Sequence, residues 1–379
     1  MRRVHGNQSA FLLITILVML VAMVAVGAAS LTRSATELQG STRFTTSHRA
    51  FHLAEASVDA AIVNFQGGQL DGLVLSTLSS GSYWATVHPQ GGLVYLVNGH
   101  GLQGLEQRDV EAVVRLTPRS IFQYGLFGGD QVIISGQAIT DSFDSSQGAY
   151  DPGTAGAEGD LGTNSVVTGG ITISGSIAIN GQVAVGPGVA DPGSVVAISG
   201  GTALITGSPP VESQSTTMAL PQVTVPEGLT CEDMVVTGQT TLLLPSVLVH
   251  HCFHDLTVSG GGMLTADGPV KVYVTGAFTA SGNTVIGIPS DPTAMLLFLV
   301  SNEQATFEGS LTGSTEFYGG MYAPSATIAI TSNAQVFGSV VARTVDVSGD
   351  AQVHYDHALG NLTEPIGIYD TDLLSWREP

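Results

Sequence analysis

The densest group of potential metal ligands in this chain is the segment His250-His251-Cys252, with His254 two residues further on. In an extended strand alternate side chains lie on one face, so His250, Cys252 and His254 would point together. Histidine nitrogen and cysteine sulfur are zinc ligands, and a structural zinc site usually takes four protein ligands. No fourth ligand is evident in the sequence, and zinc is therefore one of several interpretations of this segment.

The second cysteine, Cys231, lies 21 residues before Cys252. Equivalent residues of stacked strands are about 4.8 Å apart, which lies inside the range of about 4.4–6.8 Å between the Cα atoms of a disulfide. Two cysteines in an exported protein usually pair. The sequence favours a Cys231–Cys252 disulfide and leaves open two free buried thiols or a metal site. With the disulfide, the histidines form a plain outer face of the strand.

A further group of candidate residues is acidic and lies in one loop. Its members are Asp141, Asp144, Asp151, Glu158 and Asp160. Two carboxylates held across a groove hydrolyse glycosides, and clustered carboxylate oxygens bind calcium. Glycine and serine surround these acids, as is typical of turns, and no lysine or arginine lies between Arg119 and Lys271 to serve a polysaccharide lyase. We interpret these acids as residues that form hydrogen bonds within turns. Asp141, Asp144 and Asp151 remain candidates for binding calcium, and we predict no catalytic residue and no cofactor.

The segment Gly99-His-Gly101-Leu-Gln-Gly104 matches the pattern G-x-G-x-x-G of dinucleotide-binding proteins. That pattern binds a pyrophosphate only between a strand and the N-terminus of a helix. Here residues 106–116 alternate like another strand, so we predict a hairpin turn without a ligand. SYWATVHP, GLVYLVNG and RDVEAVVRL then form a small antiparallel sheet within residues 67–119.

The overall charge excludes one class of partner. The chain has 31 acidic and 11 basic residues and a formal net charge of -20. Such a surface repels phosphate backbones, and we expect no binding of nucleic acid.

Short β-branched runs that end in glycine recur over residues 120–360. Examples are ITISGS–IAINGQ–VAVGPG at 171–188, VIISGQ at 132–137, VVAISGG at 195–201, IAITSN at 328–333 and VDVSGD at 345–350. Gly238, Gly260 and Gly282 are spaced by 22 residues. Strands with tight corners and a period near twenty are typical of a parallel β-helix. An antiparallel sandwich is the alternative, which the regular spacing and the scarcity of Asn-Gly hairpin turns disfavour.

The elements that position these residues begin with an uncharged segment, residues 10–31, preceded by Arg2 and Arg3 and followed by Arg33. As a helix it is about 33 Å long, enough to cross a hydrocarbon core of about 30 Å. Residues 35–63 continue in helical register, with an apolar face of Phe51, Ala54, Val58, Ala61 and Ile62. A retained membrane anchor is favoured over a removed signal peptide. The arginine excess before the segment predicts a cytoplasmic N-terminus.

Residues 6–63 resemble the N-terminus of PilX-type minor pilins of type IV pili. A glycine ends a short basic leader, an apolar helix follows, Glu37 stands near its exit, and RAFHLAEASVDAAI continues it. The resemblance implies cleavage between Gly6 and Asn7 by a prepilin peptidase. The fifth mature position, glutamate in major pilins, is Phe11 here, which departs from the pattern needed for ordinary pilin assembly.

Residues 118–360 resemble a β-helical domain of uncharacterised function that follows PilX-type helices in bacterial envelope proteins. The resemblance rests on ITDSFDSSQGAYDP, DGPVKVYVTGAFTASGN, GGMYAPSATIAI and VSGDAQVHYDHAL. It implies right-handed winding. The strand rhythm is also similar to that of bactofilins, which are filament formers.

These interpretations give one organisation: a leader and pilin-like transmembrane helix (1–66), an antiparallel β region (67–119), a right-handed parallel β-helix (120–360) and a C-terminal tail (361–379). We expect His354 and Tyr355 to cap the last winding, and Leu373, Leu374 and Trp376 to pack down along the helix side. The whole is a mainly β, single-pass protein of the bacterial inner membrane, with its C-terminal domain in the periplasm or on the cell surface.

The predicted function is non-enzymatic: a minor-pilin-like component or adhesin of a type IV pilus or related secretion pseudopilus. The expected partners are the lipid bilayer through residues 10–31, other pilin subunits, and a surface or polysaccharide ligand. Two alternatives stay open, a polysaccharide-active β-helix enzyme and a bactofilin-like scaffold that polymerises end to end.

Overall fold

A computed structural model of the chain describes residues 8–78, 81–300, 308–362 and 369–379. Within these ranges the protein is mainly β and divides into two compact units. Of the described residues, the first unit comprises 8–65, 69–78, 81–116 and 371–379, and the second comprises 66–68, 117–300, 308–362 and 369–370. The predicted processing residues, Gly6 and Asn7, lie outside the described residues.

The helices are α1 (Gln8–Gln66) and α2 (His357–Gly360), with 3-10 turns at Pro192–Val195 and Pro292–Ala294. The first strands are β1 (Leu73–Leu78), β2 (Gly81–Gly91), β3 (Val94–Gln103) and β4 (Glu106–Pro118). They are followed by β5 (Leu126–Gly136), β6 (Ile139–Phe143), β7 (Leu161–Thr163), β8 (Ile171–Gly175), β9 (Ile177–Ile179), β10 (Val183–Val185), β11 (Val196–Ser199), β12 (Ala203–Ile205), β13 (Val211–Ser213), β14 (Glu232–Thr237) and β15 (Thr241–Leu244). The remaining strands are β16 (His250–Ser259), β17 (Met263–Ala266), β18 (Val270–Val274), β19 (Phe278–Ser281), β20 (Val285–Ile286), β21 (Met295–Leu299), β22 (Glu308–Leu311), β23 (Glu316–Ile330), β24 (Gln335–Val347), β25 (Gln352–Asp356) and β26 (Tyr369–Arg377).

The helix α1 runs without interruption through Gly27 and Gly40 for 59 residues. From Leu12 onward its apolar N-terminal part is exposed, and the helix is long and apolar enough to cross a membrane. Its C-terminal part buries one face, formed by Ala50, Leu53, Ala54, Ser57, Val58, Ala61 and Phe65. These residues recur every three to four positions, which is the spacing of one side of a helix. The prediction of one long helix with an amphipathic second half is confirmed.

The first unit packs the buried face of α1 on an antiparallel sheet of order β1-β2-β3-β4-β26. Phe65 lies against Tyr95 of β3, with ring centroids 5.5 Å apart. The predicted three strands are present as β2, β3 and β4. The C-terminal strand β26 was not predicted, because Leu373 and Leu374 are adjacent apolar residues and break the alternation of a strand.

The expectation that the tail packs its apolar side chains down holds only in part: the Trp376 ring lies against Phe51 of α1, with centroids 5.9 Å apart. Leu373, Leu374 and Trp376 are 55%, 44% and 44% exposed. They belong to β26, which is an edge strand of the sheet, and an edge strand keeps part of its surface in solvent. Polar contacts tie this strand to β4, with Arg377 Nε donating to Glu111 Oε2 at 2.6 Å.

The glycines of the G-x-G-x-x-G pattern serve packing and turning. Gly99 and Gly101 of β3 face α1 so closely that a Cβ on Gly101 would collide with Ala50 O and Ala54 N. Gly104 has φ +65° in the tight turn between β3 and β4, a conformation that favours glycine. The predicted hairpin is present, since the strand β4 and not a helix follows the pattern.

The second unit is one sheet of 21 strands whose described strand pairs are all parallel. The chain returns beside itself after each winding: Thr237 is paired with Ser259, and Ser259 with Ser281, which reproduces the spacing of 22 residues. Inward-facing apolar residues of successive windings form one continuous core. The prediction of stacked parallel strands is confirmed.

One corner of the windings is formed by a column of residues whose backbone has the left-handed conformation. Its members, with positive φ at every level, are Gly238, Gly260, Gly282, Gly313, Ser332, Gly349, Gly136, Gly175 and Gly200. A Cβ on Gly175 would collide with the carbonyl oxygen of Gly136 on the neighbouring winding. At Gly175, glycine is therefore favoured both by the backbone conformation and by the close stacking of backbones, whereas Ser332 adopts the same conformation with a side chain.

The order of the windings in space differs from their order in the chain. Along one side of the stack the strands follow each other as β14, β16, β19, β22, β23, β24, β5, β8 and β11. The last long strand, β24, is thus paired with the first, β5, for example Val340 with Leu126. We call the junction of β24 and β25 with β5 and β6 the seam. The chain enters the stack at the seam and builds three levels in one direction, with β13 beginning a fourth beyond β10. It then resumes at β14 at the opposite end.

This order corrects the prediction that His354 and Tyr355 cap the last winding. Both residues lie in β25, which is paired with β6 at the seam, in the interior of the stack. They are 1% and 6% exposed. Sequence position suggested an end because the final repeat of a simple β-helix lies at its end, and here the final repeat lies against the first.

Candidate functional site

The seam contains a buried polar cluster. Asp141 of β6 accepts a hydrogen bond at Oδ1 from His354 Nδ1 at 2.6 Å, and at Oδ2 from the Tyr150 hydroxyl at 2.8 Å. The Tyr150 and Phe337 rings both pack on the His354 ring, with centroids 4.0 and 4.8 Å from it, and they contact each other with centroids 5.4 Å apart. Burial raises the pKa of Tyr150, and its bond to Asp141 raises it further. The cluster therefore fastens the acidic loop to the seam.

The other loop acids have separate structural partners. Asp144 accepts from the Ser146 hydroxyl at 2.6 Å, which lowers the pKa of its carboxyl, and Asp151 accepts from Gly153 N at 2.8 Å. Asp160 accepts from Gln182 N at 2.6 Å, and burial raises its pKa. The bonds of Asp144 and Asp151 stabilise turns, and the bond of Asp160 joins two successive windings. Among the described residues, Asp141, Asp144 and Asp151 are not gathered into one group of ligands.

Asp356 fixes the start of the acidic loop from the far end of β25. Its Oδ1 accepts from Ser145 N at 2.9 Å and from Ala358 N at 3.0 Å, the second bond capping the short helix α2. Burial raises the pKa of the Asp356 carboxyl. The loop is thus held at Ser145 by Asp356 and at Tyr150 by His354, both of which belong to β25.

Cys231 and Cys252 are joined by a disulfide, with Cα atoms 4.7 Å apart. Closing a loop of this length restricts the unfolded chain and stabilises the fold by about 3 kcal/mol in the chain-entropy model. The histidines have separate contacts: His250 Nδ1 lies 3.1 Å from the Tyr273 hydroxyl, and His254 Nδ1 lies 3.2 Å from Thr275 Oγ1.

One surface group of possible metal ligands is present among the described residues, formed by Asp233, His254 and Asp255. Its carboxylates already accept backbone bonds of the stacked strands. Asp233 Oδ1 accepts from Asp255 N at 3.2 Å, and Asp255 Oδ1 accepts from Ala277 N at 2.7 Å. These bonds explain the two aspartates as links between successive windings.

The most regular surface of the protein is a column of hydroxyl side chains beside the glycine corner. We call it the hydroxyl column; its members are Thr237, Ser259, Ser281, Thr312, Thr331, Ser348, Ser135, Ser174 and Ser199. They face outward at nine successive levels, each directly after a paired inward residue of its strand. With a stacking distance of about 4.8 Å the column is roughly 38 Å long.

The outward row on the neighbouring side serves as an internal comparison. Its nine members are Thr241, Met263, Val285, Glu316, Gln335, Gln352, Ile139, Ala178 and Leu204. Apolar, amide, hydroxyl and carboxylate side chains all occur there, so stacking alone does not demand serine or threonine at outward positions. Within the column, the one hydrogen bond between described side chains is from Ser259 Oγ to Thr237 Oγ1 at 3.3 Å. The other seven hydroxyls have no hydrogen bond to a described residue, and every member of the column is at least partly exposed.

Sequence reasoning missed both the hydroxyl column and the Asp141–His354 pair. The recurring glycines were recognised, and the serine or threonine before each one was the available signal for the column. The pair joins residues 213 positions apart, and nothing local in the sequence marks it.

Comparison with known proteins gives limited similarity. Residues 249–362 match the family described as "Domain of unknown function (DUF7305)". No curated protein matches the chain. Among solved structures, the chain is similar to the competence-associated pilin ComZ from Thermus thermophilus, at 14% identity and a TM-score of 0.30, covering 88% of this chain and 98% of that one. It is also similar to an ice binding protein from an Antarctic Biological Consortium, at 14% identity and a TM-score of 0.31, covering 63% and 91%. Similarity this low does not reveal what the chain binds.

Proposed function

We propose that the chain is a non-enzymatic protein of the bacterial envelope, held in the inner membrane by α1 and presenting a right-handed parallel β-helix outside the cytoplasm. The observation that carries the proposal is the exposed apolar part of α1, continuous with a helix that packs on the antiparallel sheet. Exposed apolar side chains over about 20 residues are stable in lipid or against other such helices. Residues 1–66, 67–119, 120–360 and 361–379 are the proposed domains.

The role we propose is that of a minor-pilin-like component or adhesin of a type IV pilus or a related pseudopilus. The resemblance of residues 6–63 to PilX-type pilins supports the pilus association. The engagement of the loop acids in turns supports a role without catalysis. The uncovered hydroxyl column supports adhesion to an uncharged, hydroxyl-rich polymer, because hydroxyls both donate and accept and the acidic protein repels anionic polymers.

The anchor is tested by mapping the mature N-terminus and the orientation. We expect mass spectrometry to find Asn7 as the first residue and a Gly6→Leu variant to stay uncleaved. A reporter that is active only in the periplasm, fused after residue 119, should work, because Arg2 and Arg3 hold the N-terminus in the cytoplasm. A mature N-terminus at Ala29 or Ser30, or a reporter active only in the cytoplasm, would contradict the anchored arrangement.

Adhesion is tested with matched double variants that complement a deletion strain. Ser135→Arg with Ser174→Arg inserts two long charged side chains into the hydroxyl column, whereas Ile139→Arg with Ala178→Arg inserts the same side chains into the neighbouring outward row. We expect the column variant to lose surface attachment several-fold and the control variant to keep it, with equal protein levels and piliation. Equal attachment of both variants would exclude the column as the adhesive surface.

A further inference from the structure

Two histidines of α1, His48 and His52, lie one turn apart on the exposed side of the helix. Residues four apart in a helix are neighbours on its surface, and the two rings are in contact, with centroids 4.5 Å apart and an interplanar angle of 68°. The pair belongs to the first unit, whereas the group of Asp233, His254 and Asp255 belongs to the second. Two imidazoles at this spacing on one face of a helix are an arrangement that binds a divalent transition-metal ion.

Glu55 holds the ring of His52 in the state that a metal ion requires. Its Oε2 lies 2.8 Å from His52 Nδ1, and because a carboxylate only accepts hydrogen bonds, Nδ1 carries the proton and donates it. The other ring nitrogen, Nε2, then keeps its lone pair for a ligand. A carboxylate behind a ligating histidine is the usual partner in metal sites, where it orients the ring and makes the free nitrogen more basic.

The turn that carries the two histidines is fixed by packing on its other side. Ala50, Leu53 and Ala54 lie on the face of α1 that packs on the sheet, and they are buried. Of the residues of α1 whose side chains are described, Ala50 is the first to be buried. His48 and His52 therefore flank the point at which the packed part of the helix begins, on a backbone that needs no rearrangement to present them together.

The charged groups around the pair leave room for a cation. Arg108 reaches this side of α1, where its Nε donates to Ser47 Oγ at 2.8 Å, and its Nη1 forms an ion pair with Glu378 Oε1 at 3.1 Å. The carboxylate of Glu378 thus balances the guanidinium nearest to His48. Arg49 follows His48 directly and lies about 100° further round the helix, so its side chain leaves in another direction.

We propose that His48 and His52 bind one divalent transition-metal ion, with water completing its coordination. An ion about 2.0–2.1 Å from one nitrogen of each ring, the bond length found in zinc sites, lies about 3.2 Å from each ring centroid. Centroids 4.5 Å apart then correspond to an angle of about 90° at the ion. Such an angle suits the tetragonal geometry of Cu²⁺ and Ni²⁺ with nitrogen and oxygen ligands, and Cu²⁺ has the higher intrinsic affinity of the two.

The bound ion joins two successive turns of α1 where its contact with the sheet begins. Because the two nitrogens are held together only in the folded helix, binding stabilises the helix over the unfolded chain. The effect is local, and it extends to the turn before Ala50, which has no buried side chain of its own. The ion therefore stiffens α1 between its apolar part and the part that packs on the sheet.

The test is titration of the full chain in detergent with Cu²⁺, after purification without a polyhistidine tag. We expect one ion per chain whose electron paramagnetic resonance spectrum shows two imidazole nitrogens. His48→Ala and His52→Ala should each remove one nitrogen from the spectrum and weaken the binding. Both histidines are exposed, so these variants keep the fold. His88→Ala is the matched control, because His88 is an exposed histidine of β2 in the same unit, and its affinity for Cu²⁺ should equal that of the wild type.

The positioning role of Glu55 is tested in the same titration. Glu55→Ala should lower the affinity about 10–100-fold, the effect typical of losing such a partner, while both nitrogens stay in the spectrum. Glu55→Gln keeps an acceptor oxygen and should recover part of the affinity. Loss of either histidine should cost more than loss of Glu55, because it removes a ligand itself.

Thermal unfolding gives a second readout. Cu²⁺ should raise the thermal midpoint of the first unit in the wild type and in His88→Ala, and leave it unchanged in His48→Ala. An affinity that does not change in His48→Ala or in His52→Ala would overturn the proposal. A two-nitrogen spectrum that disappears in His254→Ala and persists in His48→Ala would assign the ion to the second unit, and would overturn it equally.

Discussion

The variant Asp141→Ala is expected to lower the free energy of unfolding of the second unit by about 1–3 kcal/mol for each buried donor that it leaves without an acceptor, those of His354 and Tyr150. His354 is 1% exposed, and its Nδ1 would lose the 2.6 Å contact to Asp141. Its Nε2 already has no described hydrogen-bond partner. Tyr150 would lose its acceptor as well, and the acidic loop would be released from the seam.

The loss is measurable by chemical denaturation and by hydrogen exchange of peptides that cover β6 and β25. Asp151→Ala is a suitable control, because Asp151 is an exposed turn residue whose loss should change stability by about 0.5 kcal/mol or less. The double variant Asp141→Leu with His354→Phe should recover most of the loss, since replacing both members of a buried pair by apolar residues is often neutral. Equal stabilities of Asp141→Ala and Asp151→Ala would show that the pair does not hold the seam.

The second large effect is expected for Gly101→Val in the first unit. The added side chain would collide with Ala50 O and Ala54 N of α1, and the helix and β3 would have to separate. Overpacking of this kind costs about 1–3 kcal/mol, and more where backbone must move. We expect the thermal midpoint of the first unit to fall and α1 to become sensitive to proteases between residues 50 and 65.

Tryptophan fluorescence provides the readout, because Trp84 of β2 stacks on His100 beside Gly101, with centroids 5.0 Å apart. Gly40→Ala is the matched control: a Cβ there meets nothing within 4 Å. The helix should instead gain about 1 kcal/mol from the higher helix propensity of alanine. A Gly101→Val protein that unfolds at the wild-type temperature would show that the helix does not lie against β3 as closely as described.

Local patterns predicted the elements of this protein well. Twenty-two uncharged residues indicated the exposed part of α1, and Ala54, Val58 and Ala61 indicated its buried face. Runs such as VIISG and TVSG indicated strands with glycine corners, because alternation and positive φ are properties of a few consecutive residues.

The order of the windings was not predictable in the same way. All windings carry similar patterns, so the pattern that places Ser259 beside Thr237 equally permits Ser348 beside Ser135. Which pairing forms is decided by specific contacts between distant residues, such as Asp141 with His354. The hydroxyl column became visible only when this order was known, because it crosses the seam between Ser348 and Ser135.

The position of the seam has a consequence for the kinetics of folding. Val340 is paired with Leu126 across more than half of the chain, so the first winding acquires one of its two neighbours only after nearly the entire chain is available. Closing so long a segment is slow compared with forming neighbouring windings, because contacts that are distant in sequence must overcome a large loss of chain entropy. During export, β5 leaves the membrane before β24 does. Its edge is therefore exposed meanwhile, and chains aggregate on such edges. The synthesis of β24 and β25 is therefore the step that ends this exposure, and a chain that ends before β24 would keep an aggregation-prone edge at β5 and β6.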